Sequence, residues 1–355
     1  MSDTRRMDAR VEVQGTQKIP APILLIAFAS TLFVSALLLF AVQPMFAKMV
    51  LPVLGGSPAV WSVAMCFFQA ALLGGYAYAH WLNKTVRTPH AVIIHLGVIL
   101  LAIVVLPLGI AGGWTHLPEE SLHLWVLGLF AASIGLPFFA LAGNAPLLQA
   151  WFARTGHRHA QDPYFLYGAS NLGSLLALLS YPILIEPAAT LAQQSGLWSL
   201  GYKLLAVFVG LCGLAMLLSR TSKPEKNTPA TETPVSVSPP RRKCLAWMGL
   251  AFVPSGLLVA VTSHITTDVA AAPFLWVLPL ALFLLTFVIT FQRKPVLHHK
   301  AMLALQPIAV AVLVVAMHFP LGNYWPVIVA IHLAAFFICA MVCHGELARG
   351  RPGPR

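Results

Sequence analysis

Apolar residues run along this chain in blocks of about 20, the length that crosses the hydrocarbon core of a bilayer as a helix. Ten such blocks fall near residues 23–43, 58–80, 90–111, 123–148, 164–185, 200–219, 244–263, 272–291, 300–318 and 324–344. Each predicts a transmembrane helix. The last two are divided by a tight turn containing Pro320, Gly322 and Asn323. The first block is too long for the apolar part of a cleaved signal peptide and no A-x-A site follows it, so it is expected to stay as a helix.

Composition fits that pattern and excludes others. Of 355 residues, 58% are apolar and 9% charged, whereas soluble domains carry about 25% charged residues. A water-soluble enzyme, a disordered chain and a disulfide scaffold are all excluded, since none could cover its surface this way. The net charge of +11, from 22 basic and 11 acidic residues, would suggest a nucleic acid partner in a soluble protein. Here the basic residues sit in short loops and orient helices, so no nucleic acid partner is expected. With the N-terminus in the cytoplasm, 20 of the 22 lie at cytoplasmic ends or loops and only Lys48 and Lys203 lie on the other face. The expectation is an all-α polytopic membrane protein of ten spans with both termini cytoplasmic.

Residues 220–243 are rich in Pro, Thr, Ser and Lys and read as a flexible cytoplasmic linker. The chain thus divides into a tail (1–22), a six-helix bundle (23–219), the linker, a four-helix segment (244–345) and a second tail (346–355). Major facilitator transporters join two six-helix halves by such a linker; this arrangement is 6+4. Cys66, Cys212, Cys244, Cys339 and Cys343 form no regular framework, and no disulfide is expected.

In lipid a polar side chain is costly unless it is paired, so intramembrane polar groups are the candidates for function. Asn144 lies in Gly143-Asn144-Ala145-Pro146, where the Gly and Pro predict a helix end or break. Asn171 lies in a small-residue stretch with Gly168, Ser170, Gly173 and Ser174, either a packing face or a cavity lining. Glu186 ends the fifth span. Asp268, with His264 four residues before it, stands in the loop between spans seven and eight, as a helix cap or in a lined vestibule. These five form the candidate substrate path. Cys339, Cys343 and His344 have the spacing of soft-metal ligands, yet no second pair stands elsewhere to complete a site, and no metal is expected. Gln43, Gln69, His95 and His318 read as singletons. No nucleotide, zinc-protease or nucleophile-elbow motif occurs, so no cofactor and no catalysis are expected.

Four stretches carry a resemblance: LLLFAVQPMFAKMVLPVLGGSPAVW (Leu37–Trp61), DPYFLYGASNLGSLLALLSYP (Asp162–Pro182), TTDVAAAPFLWVLPLALFLLTFVI (Thr266–Ile289) and CHGELARGRP (Cys343–Pro352). Together they resemble the membrane region of a bacterial family in which a major-facilitator-like bundle is fused to a spermidine synthase-like domain. The resemblance spans most of residues 23–352. It implies a bundle that anchors or serves a polyamine or aminopropyltransferase-related partner, in cis or in trans. It also implies that these residues are the membrane half of a larger fusion or a truncated member. The synthase-like part has no counterpart here, so no catalytic residue transfers. The loop His80–Arg87 also lacks the Gly, Asp and Arg pattern of major facilitators. The alternative is a stand-alone secondary transporter of a small solute. Polyamines are cationic, and only Glu186 and Asp268 would supply negative charge near spans.

Overall fold

A computed structural model describes residues 20–55, 58–114, 122–155, 157, 160, 164–219, 240–265, 267, 277–290, 297–318 and 324–350. Every described regular element is helical. Ten helical segments follow the ten apolar blocks: α1 (Ala21–Leu54), α2 (Pro58–Thr85), α3 (Thr88–Ile103), α4 (Leu122–Ala153), α5 (164–188), α6 (Leu191–Ser219), α7 (Arg241–His264), α8 (Val277–Thr290), α9 (His299–His318) and α10 (Trp325–Gly350). Eight are long and apolar enough to cross a membrane; α3 and α8, with 16 and 14 residues, are shorter.

The blocks fix where helices form but not where they stop. The 34 residues of α1 reach about 51 Å, well past a hydrocarbon core of about 30 Å. Helix α6 begins at Leu191 rather than near residue 200. Helix α4 corrects the expected end at Gly143–Pro146, because it continues through Pro146 to Ala153. A proline removes one backbone donor, and neighbouring helices let a membrane helix tolerate that. Two wide π turns interrupt the first six helices among the described residues, at Ala131–Gly135 just before Pro137 and at Tyr181–Ile185 around Pro182. An extra residue per turn moves the ring away from the carbonyl it would strike.

Helix α1 is the axis of the first six helices and packs against α4, α5 and α6. Its contact with α5 is made by Gly173, where a Cβ would overlap the Phe33 carbonyl of α1. Gly75 of α2 lies equally close to Ala142 of α4. Without a hydrophobic force between helices in lipid, such close approach is what holds them together. Around these contacts Phe46, Phe67, Phe68, Phe130 and Phe138 interlock, with ring centroids 5.0 Å apart for Phe46–Phe130 and 5.1 Å for Phe68–Phe138. In the last four helices α10 is central, packing on α7, α8 and α9. The two groups meet chiefly where α8 lies on α5.

The outward surface is apolar: Val104 is 79% exposed and Phe252 75%. Water would penalise such a surface at about 25 cal/mol per Å². A lipid environment removes the penalty, and the fold is that of a helical membrane protein.

Candidate functional site

The six-helix group holds a buried polar network that joins three helices. Asn144 of α4 and His95 of α3 are both fully buried, and Ser35 of α1 is 3% exposed. The His95 Nε2 and Asn144 Oδ1 are 2.7 Å apart, and Asn144 Nδ2 donates to Ser35 Oγ at 3.0 Å. Since the amide oxygen only accepts, Nε2 carries the imidazole proton and Nδ1 is left as a bare acceptor. Gly143 leaves room for this fit, since a Cβ there would sit tightly at 3.3 Å from both His95 and Tyr78. Three helices are thereby tied at one depth. His95, which the sequence marks only as a singleton, is thus a partner of Asn144. The signal that could have found it was its type alone, since a histidine in an apolar block implies a cross-helix partner.

The rings of Tyr78 and Trp151 pack on the same imidazole, with centroids 5.9 Å and 6.2 Å from it. Farther along the α3–α4 contact, Arg154 donates to the Thr88 hydroxyl at 2.8 Å. That ties the ends of the two helices that the charge pattern assigns to the cytoplasm.

The other candidates fall elsewhere. Glu186, at the end of α5, forms an ion pair with Lys48 of α1, one of the two basic residues on the outer side by charge pattern. Beside it Tyr181 donates to Gln194 Oε1 at 2.9 Å, and Gln194 donates to the Ala189 carbonyl at 2.8 Å. The carboxylate is therefore neutralised in place. Asn171 is half-buried on α5 and makes no hydrogen bond among the described residues; the close helix contact in its stretch is made by Gly173 instead. Asp268 lies outside the described residues. His264 closes α7 and stacks on His332 of α10, with centroids 4.6 Å apart. Among the described residues, no two of the candidates share a hydrogen bond or a ring contact.

Helix α10 distributes its polar groups among three neighbours. His332 faces α7, His344 Nδ1 meets the Thr286 hydroxyl of α8 at 2.8 Å, and Glu346 meets His299 of α9 at 2.6 Å. Arg349 stands 3.6 Å from the same carboxylate. Gly345 permits the α9 contact, because a Cβ there would strike the His299 ring. The Cys339–Cys343–His344 spacing thus belongs to helix packing: His344 is held by Thr286 and stacked on Phe287 at 4.0 Å. All five cysteines are free thiols. Among the described residues no three His, Cys, Asp or Glu side chains gather as metal ligands would.

No protein-family model matches the chain, and no curated protein matches it significantly.

Proposed function

We propose that this chain is a multi-pass protein of the bacterial inner membrane, non-catalytic by itself, that anchors or serves a polyamine or aminopropyltransferase-related partner. The observation that carries this reading is the set of four long stretches resembling the membrane region of spermidine synthase-like fusions. In this reading the chain crosses the bilayer ten times, in a 6+4 arrangement with both termini in the cytoplasm. Support for α3 as a crossing comes from the segment that follows it, 104–114. Two of its backbone groups are bonded by side chains of other helices: Ser195 Oγ donates to the Leu108 carbonyl at 2.7 Å, and Ala111 N–H donates to Ser133 Oγ at 3.0 Å. Irregular backbone survives at membrane depth only when it is satisfied in this way.

The test is capture from native membranes with an antibody to the 220–243 linker, followed by mass spectrometry. A synthase-like polypeptide, in the same chain or beside it, is expected. Its absence at stoichiometric yield overturns the anchoring role.

A second reading, a secondary transporter of a small solute, is favoured by the buried Ser35–Asn144–His95 network. Lys48 neutralises Glu186, so a neutral polar solute fits better than a polyamine. Uptake of radiolabelled neutral amino acids into proteoliposomes tests it. Asn144→Leu should abolish uptake that the wild type shows, and equal uptake by the two removes the network from any transport path.

A further inference from the structure

Three polar atoms around His95 are buried and have no hydrogen-bond partner among the described residues: His95 Nδ1, the Tyr78 hydroxyl and Trp151 Nε1. They belong to α3, α2 and α4, and the two aromatic rings both pack on the one imidazole. Elsewhere in the six-helix group large buried aromatics have their polar atoms satisfied. Trp198 Nε1 donates to the Leu38 carbonyl at 2.9 Å, Tyr181 to Gln194 at 2.9 Å and Tyr202 to the Ile99 carbonyl at 3.4 Å. The clustering of orphans at His95 is therefore a local property. In an apolar interior each unmade hydrogen bond is expensive, and a hydrocarbon surround offers no relief.

The chemistry of the three atoms defines what would satisfy them. His95 Nδ1 can only accept, because its proton is held on Nε2 by Asn144. Trp151 can only donate, and Tyr78 can do either. A guest must therefore accept and donate at once. A metal cation could take the Nδ1 lone pair but would face the Trp151 N–H, and a simple anion has no proton to give Nδ1. Neither a carboxylate nor a basic side chain is among the groups that pack on His95, so a charged guest would lie uncompensated. Water meets every requirement, and buried waters hold such positions with two to four polar partners.

We infer that α2, α3 and α4 enclose a hydrated site in which bound water bridges His95 Nδ1, the Tyr78 hydroxyl and Trp151 Nε1. The site does not depend on whether the bundle moves a solute. It gives the histidine a proton donor and acceptor in an otherwise dry interior.

X-ray hydroxyl-radical labelling of the full chain in lipid nanodiscs tests this directly, since radicals made from bound water modify the side chains that touch it. Trp151 should be labelled several-fold faster than Trp198, which is also buried but bonded to the Leu38 carbonyl. Equal, slow labelling of the two tryptophans overturns the inference. His95→Phe removes the acceptor and should bring Trp151 down to the rate of Trp198. Labelling of Trp151 that is unchanged in a folded His95→Phe protein also overturns it. If that variant does not fold, the comparison within the wild-type chain still decides.

Discussion

Replacing Asn144 by Ala should be the most damaging small change in the first six helices. The amide makes two interhelical hydrogen bonds, to His95 and to Ser35. Interhelical bonds inside membranes average about 0.6 kcal/mol, so losing the two contributes roughly 1 kcal/mol. The larger cost is what remains. The His95 Nε2 proton and the Ser35 hydroxyl stay buried in a site that is 0–3% exposed, and an orphaned buried group costs about 1–3 kcal/mol. Together the loss should be about 2–4 kcal/mol. Steric-trapping or denaturant unfolding in bicelles reads it, with a double-mutant cycle to His95→Ala. The cycle should return a coupling of about 1 kcal/mol, as expected for groups in direct contact. Asn144→Leu with His95→Phe, which removes both partners and restores volume, should recover much of the loss. A cost for Asn144→Ala below about 0.5 kcal/mol, the range of inert surface substitutions, would refute the network as a structural tie.

Other substitutions read separate parts of the bundle. Gly173→Val should separate α1 from α5 and lower thermal stability in detergent by about 2 kcal/mol or more, while Gly168→Ala, with open space around it, should be neutral. Lys48→Ala and Glu186→Ala should each destabilise by about 1–2 kcal/mol, because the pair is partly buried, and the exchange Lys48→Glu with Glu186→Lys should recover most of it. Thr286→Val should cost about 1 kcal/mol by stranding the His344 imidazole, read by thermal unfolding of the last four helices.

Much of the architecture was legible as pattern. Every apolar block became a helix, because in a bilayer backbone groups must be satisfied within the segment, which leaves a long apolar run no other form. The small-residue stretch at 168–174 reads as a packing face or a cavity lining, and Gly173 is where it meets α1. Helix ends were less legible: Pro146 was read as a terminus, yet a proline inside a packed membrane helix only costs a hydrogen bond. The pairings were not legible at all. Lys48 looked like an exception to the charge pattern and is the partner of Glu186; His95 looked solitary and holds Asn144; His344 stood at ligand spacing with no metal expected and bonds Thr286. Which faces of two helices meet depends on the three-dimensional packing, and a single sequence shows polar residues without showing what lies across from them.

In the proposed topology the charged linker is cytoplasmic, and that turns on whether α3 crosses. With 16 residues α3 spans only about 24 Å as a helix and needs the 104–114 segment to complete a crossing. If it did not cross, Arg154, Arg158 and the whole 220–243 linker would move to the outer side, against the positive-inside rule. Fusions of green fluorescent protein and alkaline phosphatase after Ala230 decide it. A fluorescent, phosphatase-inactive fusion is the result this account predicts. An active phosphatase with no fluorescence would contradict it.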